Sequence, residues 1–218
     1  MPKMYLLGGE NVAKRDAKGA NEAAFEDAGS RPNVLVFPWA RASFDSAYKR
    51  RNRLVDYFRK LGAESVSFSD YSDLPEEISD KIVRADLIYL TGGQVGVLAA
   101  RAICKGLDRL LRDYRGVVVG RSAGAVVMGQ RCLVTNRYSG RRKIVDGLGV
   151  VDFNVKAHYL PSQDALLRKF SMSGKTYAIP HGSALVYDRE NGSLTFVGEV
   201  FVFVKGEKRL LCEAISDS

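Results

Sequence analysis

The sequence has little cysteine, little histidine and no long apolar run. Its three cysteines, Cys104, Cys132 and Cys212, are widely spaced and form no C-x-x-C pair, which argues against a disulfide framework and a four-ligand zinc site. We expect buried, reduced thiols, as is usual in the cytoplasm. The longest apolar runs, such as 200–204, fall far short of the roughly 20 residues of a membrane span. The first residues lack the features of a signal peptide, so a cytoplasmic protein without a membrane partner is expected.

Cofactor motifs are missing as well. The sequence has neither a P-loop lysine nor the G-x-G-x-x-G dinucleotide fingerprint, so we expect no cofactor and no metal. With 46% hydrophobic and 27% charged residues, the composition is that of a globular protein. A chain of this length can bury roughly 70% of its unfolded surface. No Pro-rich or Gly-rich linker divides it, so residues 1–218 are predicted to form one domain.

Positive charges exceed negative charges by 8, and two segments concentrate the excess. Residues 49–53 precede apolar residues at helical spacing, which favours the solvated face of an amphipathic helix. Residues 131–143 contain several arginines and no acid, and are predicted to form a loop. Neither segment resembles a recognition helix or a stacking motif, so nucleic acid is not an expected partner. The sequence is compatible with a homodimer but does not fix the number of subunits.

Short β-branched apolar runs alternate with helical patterns in the first half of the chain, which is typical of an α/β fold with a mainly parallel sheet. The pattern predicts strands at 4–7, 33–37, 65–68, 86–90 and 116–120, and helices at about 46–61, 74–84 and 97–112. Because these strands are almost continuously apolar, we expect helices on both faces, which gives a three-layer, doubly wound sheet.

The end of the chain has a different pattern, which predicts mostly antiparallel strands. An extended piece at 150–157 and a helix near 163–171 precede short strands at 176–179, 184–187, 194–197 and 201–205. Asn191-Gly192 lies between two of these strands and is a strong signal for a hairpin turn.

A strand-turn-helix motif lies at 117–128, where a run of valines leads into Gly-Arg-Ser-Ala-Gly-Ala. Its G-x-S-x-G pattern predicts a nucleophile elbow with Ser122 in a strained turn between strand and helix. The small residues Gly120 and Gly124 allow the two elements to approach closely. We expect the Ser122 hydroxyl at the carboxyl edge of the sheet, with the Ala123 N–H available to an oxyanion.

A serine hydroxyl needs a base to become nucleophilic, and the chain has only two histidines, His158 and His181. His158 ends an extended stretch and is the predicted base. A second oxyanion donor is expected from the turn Gly92-Gly93, which follows a buried strand, because glycines let backbone N–H groups approach a ligand closely.

These motifs resemble those of the dipeptidase E and cyanophycinase family of serine peptidases, whose fold is related to the class I glutamine amidotransferases. The resemblance spans nearly the whole chain. Residues 90–94 resemble the family's Gly-Gly-Asn oxyanion turn, 120–125 match its G-x-S-A-G-A elbow, and 154–159 match the segment that ends in the base followed by an aromatic residue.

The resemblance implies a role for each matching residue. Ser122 is then the nucleophile and His158 the general base, and the N–H groups of Gly93 and Ala123 form the oxyanion hole. Gly92 and Gln94 of the same turn become candidates for substrate binding.

The third member of the catalytic triad departs from the family pattern, which implies an Asp after the elbow helix or a Glu in a late Pro-Glu-Gly turn. This chain has Arg137 at the first place and His181 at the second. Three outcomes remain open. His181 orients His158 in a Ser-His-His arrangement like that of herpesvirus-type proteases, a carboxylate such as Asp146 or Asp152 substitutes, or the site has no effective third member.

The basic loop suggests a substrate class. Arg137 and its neighbours would bind carboxylates through paired hydrogen bonds, and Arg121 within the elbow could face the same pocket. The leading hypothesis is a serine peptidase that hydrolyses short, acidic peptides through an acyl-enzyme on Ser122. The alternative is a catalytically weak or inactive ligand-binding protein on the same scaffold. A glutaminase is disfavoured, because amidotransferases need a thiolate where this chain has Ser122.

Overall fold

The computed structural model describes residues 3–41, 48–135 and 142–211. The strands are β1 (Lys3–Leu7), β2 (Asn33–Phe37), β3 (Ser65–Phe68), β4 (Leu87–Leu90), β5 (Val117–Arg121), β6 (Arg131–Thr135), β7 (Arg142–Asp146), β8 (Asn154–Ala157), β9 (Thr176–Ile179), β10 (Ala184–Asp188), β11 (Leu194–Val197), β12 (Phe201–Val204) and β13 (Glu207–Leu210). The helices are α1 (Lys18–Ala28), α2 (Tyr48–Lys60), α3 (Pro75–Val83), α4 (Val95–Cys104), α5 (Leu107–Asp113), α6 (Ala123–Val126) and α7 (Asp164–Phe170).

A seven-stranded sheet in the order β11-β10-β1-β5-β4-β2-β3 forms the centre of the fold. The strands β1 to β5 run parallel to their neighbours, whereas β10 and β11 are antiparallel. The predicted α/β fold with a mainly parallel sheet and antiparallel strands late in the chain is confirmed. Because the carboxyl ends of β1, β4 and β5 are adjacent, the loops that follow them meet at one edge.

Alternate residues of the central strands belong to two separate cores. Ile88 and Leu90 of β4 pack with α3, α4 and α5 on one face, while Leu87 and Tyr89 pack with α1 and α2 on the other. All four side chains are fully buried. This two-sided burial explains the nearly continuous apolar runs of the parallel strands and gives the three-layer arrangement.

Two smaller sheets flank the main one. One has four strands in the order β13-β12-β9-β8, and the other is the hairpin β6-β7. The predicted turn at Asn191-Gly192 is confirmed, because β10 and β11 pair antiparallel around it and Gly192 has a φ of 74°. None of the helices in the described part of the chain is long and apolar enough to cross a membrane.

Several elements differ from the expectations. Helix α1 was not predicted, because its buried face consists mainly of small or polar residues, Ala20, Asn21 and Ala24. The single helix predicted at 97–112 is two helices, which a left-handed Gly106 separates. The basic segment 131–143 is not a loop throughout, because its ends form the paired strands β6 and β7.

The cysteines only partly follow the prediction of buried thiols. Cys132 is buried, and burial together with the charge of Asp146 raises its pKa to about 12, so it stays a thiol at neutral pH. Cys104 is exposed, which corrects the prediction for that residue, because it ends α4 on the solvent side. Cys212 lies outside the described residues.

The junction between β5 and α6 should not tolerate side chains. A Cβ on Gly124 would lie 2.4 Å from the carbonyl oxygen of Leu90, so we expect Gly124→Ala to destabilise the fold by about 1–3 kcal/mol. Gly19 of α1 is the matched control, since a Cβ there meets nothing within 4 Å, and Gly19→Ala should stabilise by about 0.5 kcal/mol. Urea unfolding measures both. Equal stabilities of the two variants would contradict this packing.

Candidate active site

Three consecutive backbone carbonyls at the end of β1 hold the candidate site together. The carbonyl of Leu7 accepts the N–H of Ser122 at 3.0 Å, that of Gly8 accepts the N–H of His158 at 2.7 Å, and that of Gly9 accepts the N–H of Gly182 at 3.1 Å. Three segments that are distant in sequence therefore meet at one point of the sheet edge.

Ser122 occupies the turn between β5 and α6 with φ 53° and ψ −104°. A non-glycine residue in such a conformation costs about 1–3 kcal/mol, and the surrounding structure must impose it. Here the turn is compressed because Gly120 lies against the backbone of Gly124, where a Cβ would come within 2.6 Å of the Gly124 carbonyl oxygen. The strained backbone directs the Ser122 side chain out of the sheet edge.

The hydroxyl of Ser122 contacts an imidazole. Its Oγ lies 2.8 Å from Nε2 of His158. His158 follows β8 directly and has a positive φ of 51°. The backbone N–H of His158 donates to the carbonyl of Gly8, and that of Tyr159 donates to the carbonyl of Ile179. These two hydrogen bonds fix the backbone that carries the imidazole. This is the geometry of a serine whose proton an imidazole can remove.

The second histidine lies behind the first. Nδ1 of His181 is 3.4 Å from Nδ1 of His158, with the ring planes 23° apart and the ring centroids 5.5 Å apart. Gly9 makes room for both rings, because a Cβ on it would lie 2.2 Å from Cε1 of His158 and 2.7 Å from Nδ1 of His181. His181 thus faces the nitrogen of His158 that points away from the serine.

A carboxylate that the sequence reasoning missed completes the row of contacts. Oδ2 of Asp16 is 2.8 Å from Nε2 of His181, and its other oxygen accepts the Asn11 N–H at 2.7 Å. Burial raises the pKa of the Asp16 carboxyl, but the Asn11 N–H and the His181 side chain outweigh it and hold that pKa below its usual value. No local motif marks Asp16, because it lies 165 residues from its partner in a loop before an unpredicted helix.

The Gly-Gly turn lies beside the nucleophile. Its ends are anchored, since the N–H groups of Thr91 and Gln94 bond to the carbonyls of Phe37 and Ala40. A Cβ on Gly92 would lie 3.3 Å from Cβ of Ser122, and only a residue without a side chain permits this approach comfortably. The backbone of the turn is therefore near the position where a reacting carbonyl would sit.

A cationic cavity of about 320 Å³ is lined in part by Gly92, which approaches Ser122 closely, whereas Ser122 and His158 are not among the described residues that line it. Among the described residues that line it are Glu10, Gly92 and four arginines, Arg41, Arg50, Arg53 and Arg121. The segment 49–53 is therefore not only a solvated helix face, because two of its arginines reach this cavity. Arg121, the last residue of β5, also lines it. The run of basic residues was the available signal, but the sequence alone did not show which side of the helix would face the site.

Glu10, an acidic residue of the cavity lining, is held by hydrogen bonds to both of its carboxylate oxygens. Oε1 of Glu10 accepts a hydrogen bond from Nδ2 of Asn21 at 2.8 Å, and Oε2 accepts one from the hydroxyl of Tyr89 at 2.9 Å. Burial raises the pKa of Tyr89 well above its usual value, so its hydroxyl stays a donor at neutral pH. These two hydrogen bonds therefore fix the orientation of the Glu10 carboxylate in the cavity that the arginines line.

Other predicted residues are not brought to the site in the same way. Gln94 is exposed at the start of α4 and is not among the described residues that line the cavity. Arg137 lies outside the described residues. Asp146 ends β7 opposite Arg131, and Asp152 is exposed before β8. His181 occupies the place beside Nδ1 of His158 that a substitute carboxylate would need.

Comparison with known proteins adds an independent finding. The sequence model of Peptidase family S51 matches residues 4–195. An uncharacterized peptidase of Listeria monocytogenes is 31% identical over 91 residues, which correspond to 38% of this chain and 44% of that protein. The match therefore spans less than half the length of this curated relative.

Two solved structures have a similar fold. A peptidase from an acI-B1 Actinobacterium gives a TM-score of 0.73 at 20% identity, covering 98% of this chain and 95% of that one. A Listeria monocytogenes protein assigned as a peptidase E gives 0.67 at 20% identity, covering 90% and 98%. At this level of identity the similarity establishes the fold alone.

The contact between Gly9 and the two rings leads to a prediction. Gly9→Ala adds a methyl group within 2.7 Å of both histidines, whose backbones are pinned by hydrogen bonds, so the rings must move. We expect the ring ¹⁵N signals of both histidines to shift while the protein remains folded. Gly19→Ala, where the added carbon meets nothing within 4 Å, should leave these signals in place. Unchanged ring signals in Gly9→Ala would refute the described packing.

Proposed function

Because the chain belongs to peptidase family S51, the family of dipeptidase E, we propose that it hydrolyses short, acidic peptides through an acyl-enzyme on Ser122. One observation carries the proposal: the Ser122 Oγ lies 2.8 Å from Nε2 of His158, at a strained turn between strand and helix. A serine held in this way against a neutral imidazole can lose its proton as it attacks a carbonyl carbon.

Acylation follows from this contact. Ser122 Oγ forms a bond to the carbonyl carbon of the scissile peptide while its proton passes to Nε2 of His158. The carbonyl oxygen becomes an oxyanion, and the N–H groups of Gly93 and Ala123 are proposed as its hydrogen-bond donors. Collapse of this intermediate breaks the C–N bond. The leaving amine takes the proton from His158 and leaves an ester on Ser122.

Deacylation reverses the roles. A water molecule gives its proton to Nε2 of His158 and attacks the ester carbon, and Ser122 departs with that proton. In both steps His158 becomes a transient imidazolium. His181 is proposed as the third member of the triad, because it faces Nδ1 of His158 at 3.4 Å. A neutral imidazole orients the base but stabilises the imidazolium less than an adjacent carboxylate would.

The substrate class rests on the cavity. Four arginines line a cavity of about 320 Å³ whose lining also includes Gly92, the close neighbour of Ser122, and guanidinium groups bind carboxylates through paired hydrogen bonds. A space of this size is at the small end of ligand pockets and suits a dipeptide or tripeptide.

A protein that only binds a ligand is not favoured. Binding an acidic peptide needs the arginines, but it does not need a serine in a strained conformation against an imidazole. Strain of this kind persists where the reaction uses the geometry that it creates.

A fluorophosphonate probe tests the proposed nucleophile. The wild-type protein should be labelled on Ser122, as located by mass spectrometry, and Ser122→Ala should abolish labelling. His158→Ala should slow labelling at least about 10³-fold, because the serine then lacks its base. Ser193→Ala, at an exposed serine between β10 and β11, is a control that should label normally. Labelling that does not depend on His158 would contradict an activated Ser122.

Two arginines of α2 test the substrate class. Arg53 and Arg59 are both exposed residues of this helix, but Arg53 lines the cavity and Arg59 is not among the described residues that do. We expect Arg53→Gln to raise KM about tenfold for a dipeptide with an aspartyl residue and to leave KM for its asparaginyl analogue unchanged, since only the former carries the charge that Arg53 would attract. Arg59→Gln should leave both values unchanged. An equal rise for both dipeptides would refute recognition of the acid.

A further inference from the structure

The row of contacts behind Ser122 does not stop at His181. We propose that Asp16 is a positioning residue of the active site, which fixes the tautomer of His181 and through it the orientation of His158. This inference rests on the proposed roles of Ser122 and His158. The carboxylate of the site then lies in the loop before α1. The family pattern had indicated two other places for it, after the elbow helix and in the late turn.

The directions of the hydrogen bonds follow from the chemistry of the groups. The Ser122 hydroxyl donates to Nε2 of His158 at 2.8 Å, so the proton of the neutral His158 ring must be on Nδ1. That N–H faces Nδ1 of His181 at 3.4 Å, which can accept it only when it carries no proton. The proton of His181 is then on Nε2, which faces Oδ2 of Asp16 at 2.8 Å.

Asp16 selects between two tautomers of His181. An ionised carboxylate can only accept, so it favours the tautomer with the proton on Nε2. The other tautomer would place two N–H groups against each other between the rings and leave the carboxylate without its donor. A bare histidine at position 181 would populate both forms, and only one of them holds His158 in the orientation that serves Ser122.

The negative charge of Asp16 also matters during the reaction. When His158 takes the serine proton, its imidazolium donates from Nδ1 to His181, and the carboxylate beyond His181 polarises that ring and makes its Nδ1 a better acceptor. The carboxylate thus acts at one ring's distance from its usual position in a serine triad. No proton needs to leave Nδ1 of His158 for this effect.

The loop around Asp16 is built to hold the carboxylate in place. Its Oδ1 accepts the Asn11 N–H at 2.7 Å, and the Asn11 carbonyl accepts the N–H groups of Lys14 and Arg15, both at 2.9 Å. The turn of His181 packs against the same loop, because a Cβ on Gly182 would lie 3.2 Å from the Asp16 carbonyl oxygen. The pKa of the Asp16 carboxyl is lowered, so the group is ionised at neutral pH.

Asp16→Asn is the most informative variant. Its Oδ1 can still accept the Asn11 N–H, so the loop is kept, while its NH₂ group then faces Nε2 of His181 and reverses that hydrogen bond. The chain has only two histidines, so a ¹H–¹⁵N spectrum of the ring nitrogens reports both tautomers without overlap. It is recorded at about pH 8, above the usual histidine pKa of about 6.5.

In the wild-type protein we expect His181 to carry its proton on Nε2, and in Asp16→Asn on Nδ1. Asp108→Asn, which removes a carboxylate paired with Arg112 on α5, should leave the spectrum unchanged. Wild-type His181 with its proton on Nδ1 overturns the proposal without any variant. An unchanged tautomer in folded Asp16→Asn overturns it too.

Kinetics show whether Asp16 acts through His181. Asp16→Asn should lower the kcat for a dipeptide about 10²-fold and change KM less than twofold, because positioning affects the transition state. The double variant Asp16→Asn/His181→Ala should be no slower than His181→Ala alone, since both changes break one chain of contacts. Additive losses would overturn the proposal. If the fluorophosphonate does not label the wild-type protein, the proposed function is wrong. The tautomer of His181 still tests the role of Asp16 in that case.

Discussion

The site depends on one constraint, which is the position of the last three peptide groups at the carboxyl end of β1. Their carbonyls accept hydrogen bonds from the N–H groups of Ser122, His158 and Gly182, and so fix the backbone of Ser122, of His158 and of the turn that carries His181. The absence of side chains at Gly8 and Gly9 lets these segments approach. The imidazoles of His158 and His181 then meet next to Gly9. The directions of the three carbonyls therefore determine the spacing of the contacts that run from Ser122 to Asp16.

The sheet explains why charge accumulates at this place. β1, β5 and β4 are adjacent, so the loops after them share one edge, and the arginine of β5 and the Gly-Gly turn after β4 line the same cavity. Helix α2 contributes two more arginines to the lining. Glu10, held by Asn21 and Tyr89, places one negative charge beneath them.

The sequence predicts those parts of the fold that depend on local pattern. The parallel strands, the elbow around Ser122 and the hairpin at Asn191-Gly192 are each encoded by a few consecutive residues, and the strands and the hairpin are found where they were expected. Helix α1 was missed because alanines bury little area and give a weak apolar stripe. Asp16 was missed for a different reason: its role comes from a contact across most of the chain, and an exposed loop acid has no local signal that distinguishes it.

The position of β1 in the sheet determines when the site can assemble during synthesis of the chain. β1 precedes the other described strands in the sequence but lies in the interior of the sheet, between β5 and the late strand β10. The carbonyls at its end cannot bond all three of their partners, Ser122, His158 and Gly182, until the residues near 182 have left the ribosome. Contacts of such long range form late in folding. A chain that ends before residue 182 therefore contains Ser122 and His158 but lacks the N–H that bonds the Gly9 carbonyl, so the proposed site is incomplete.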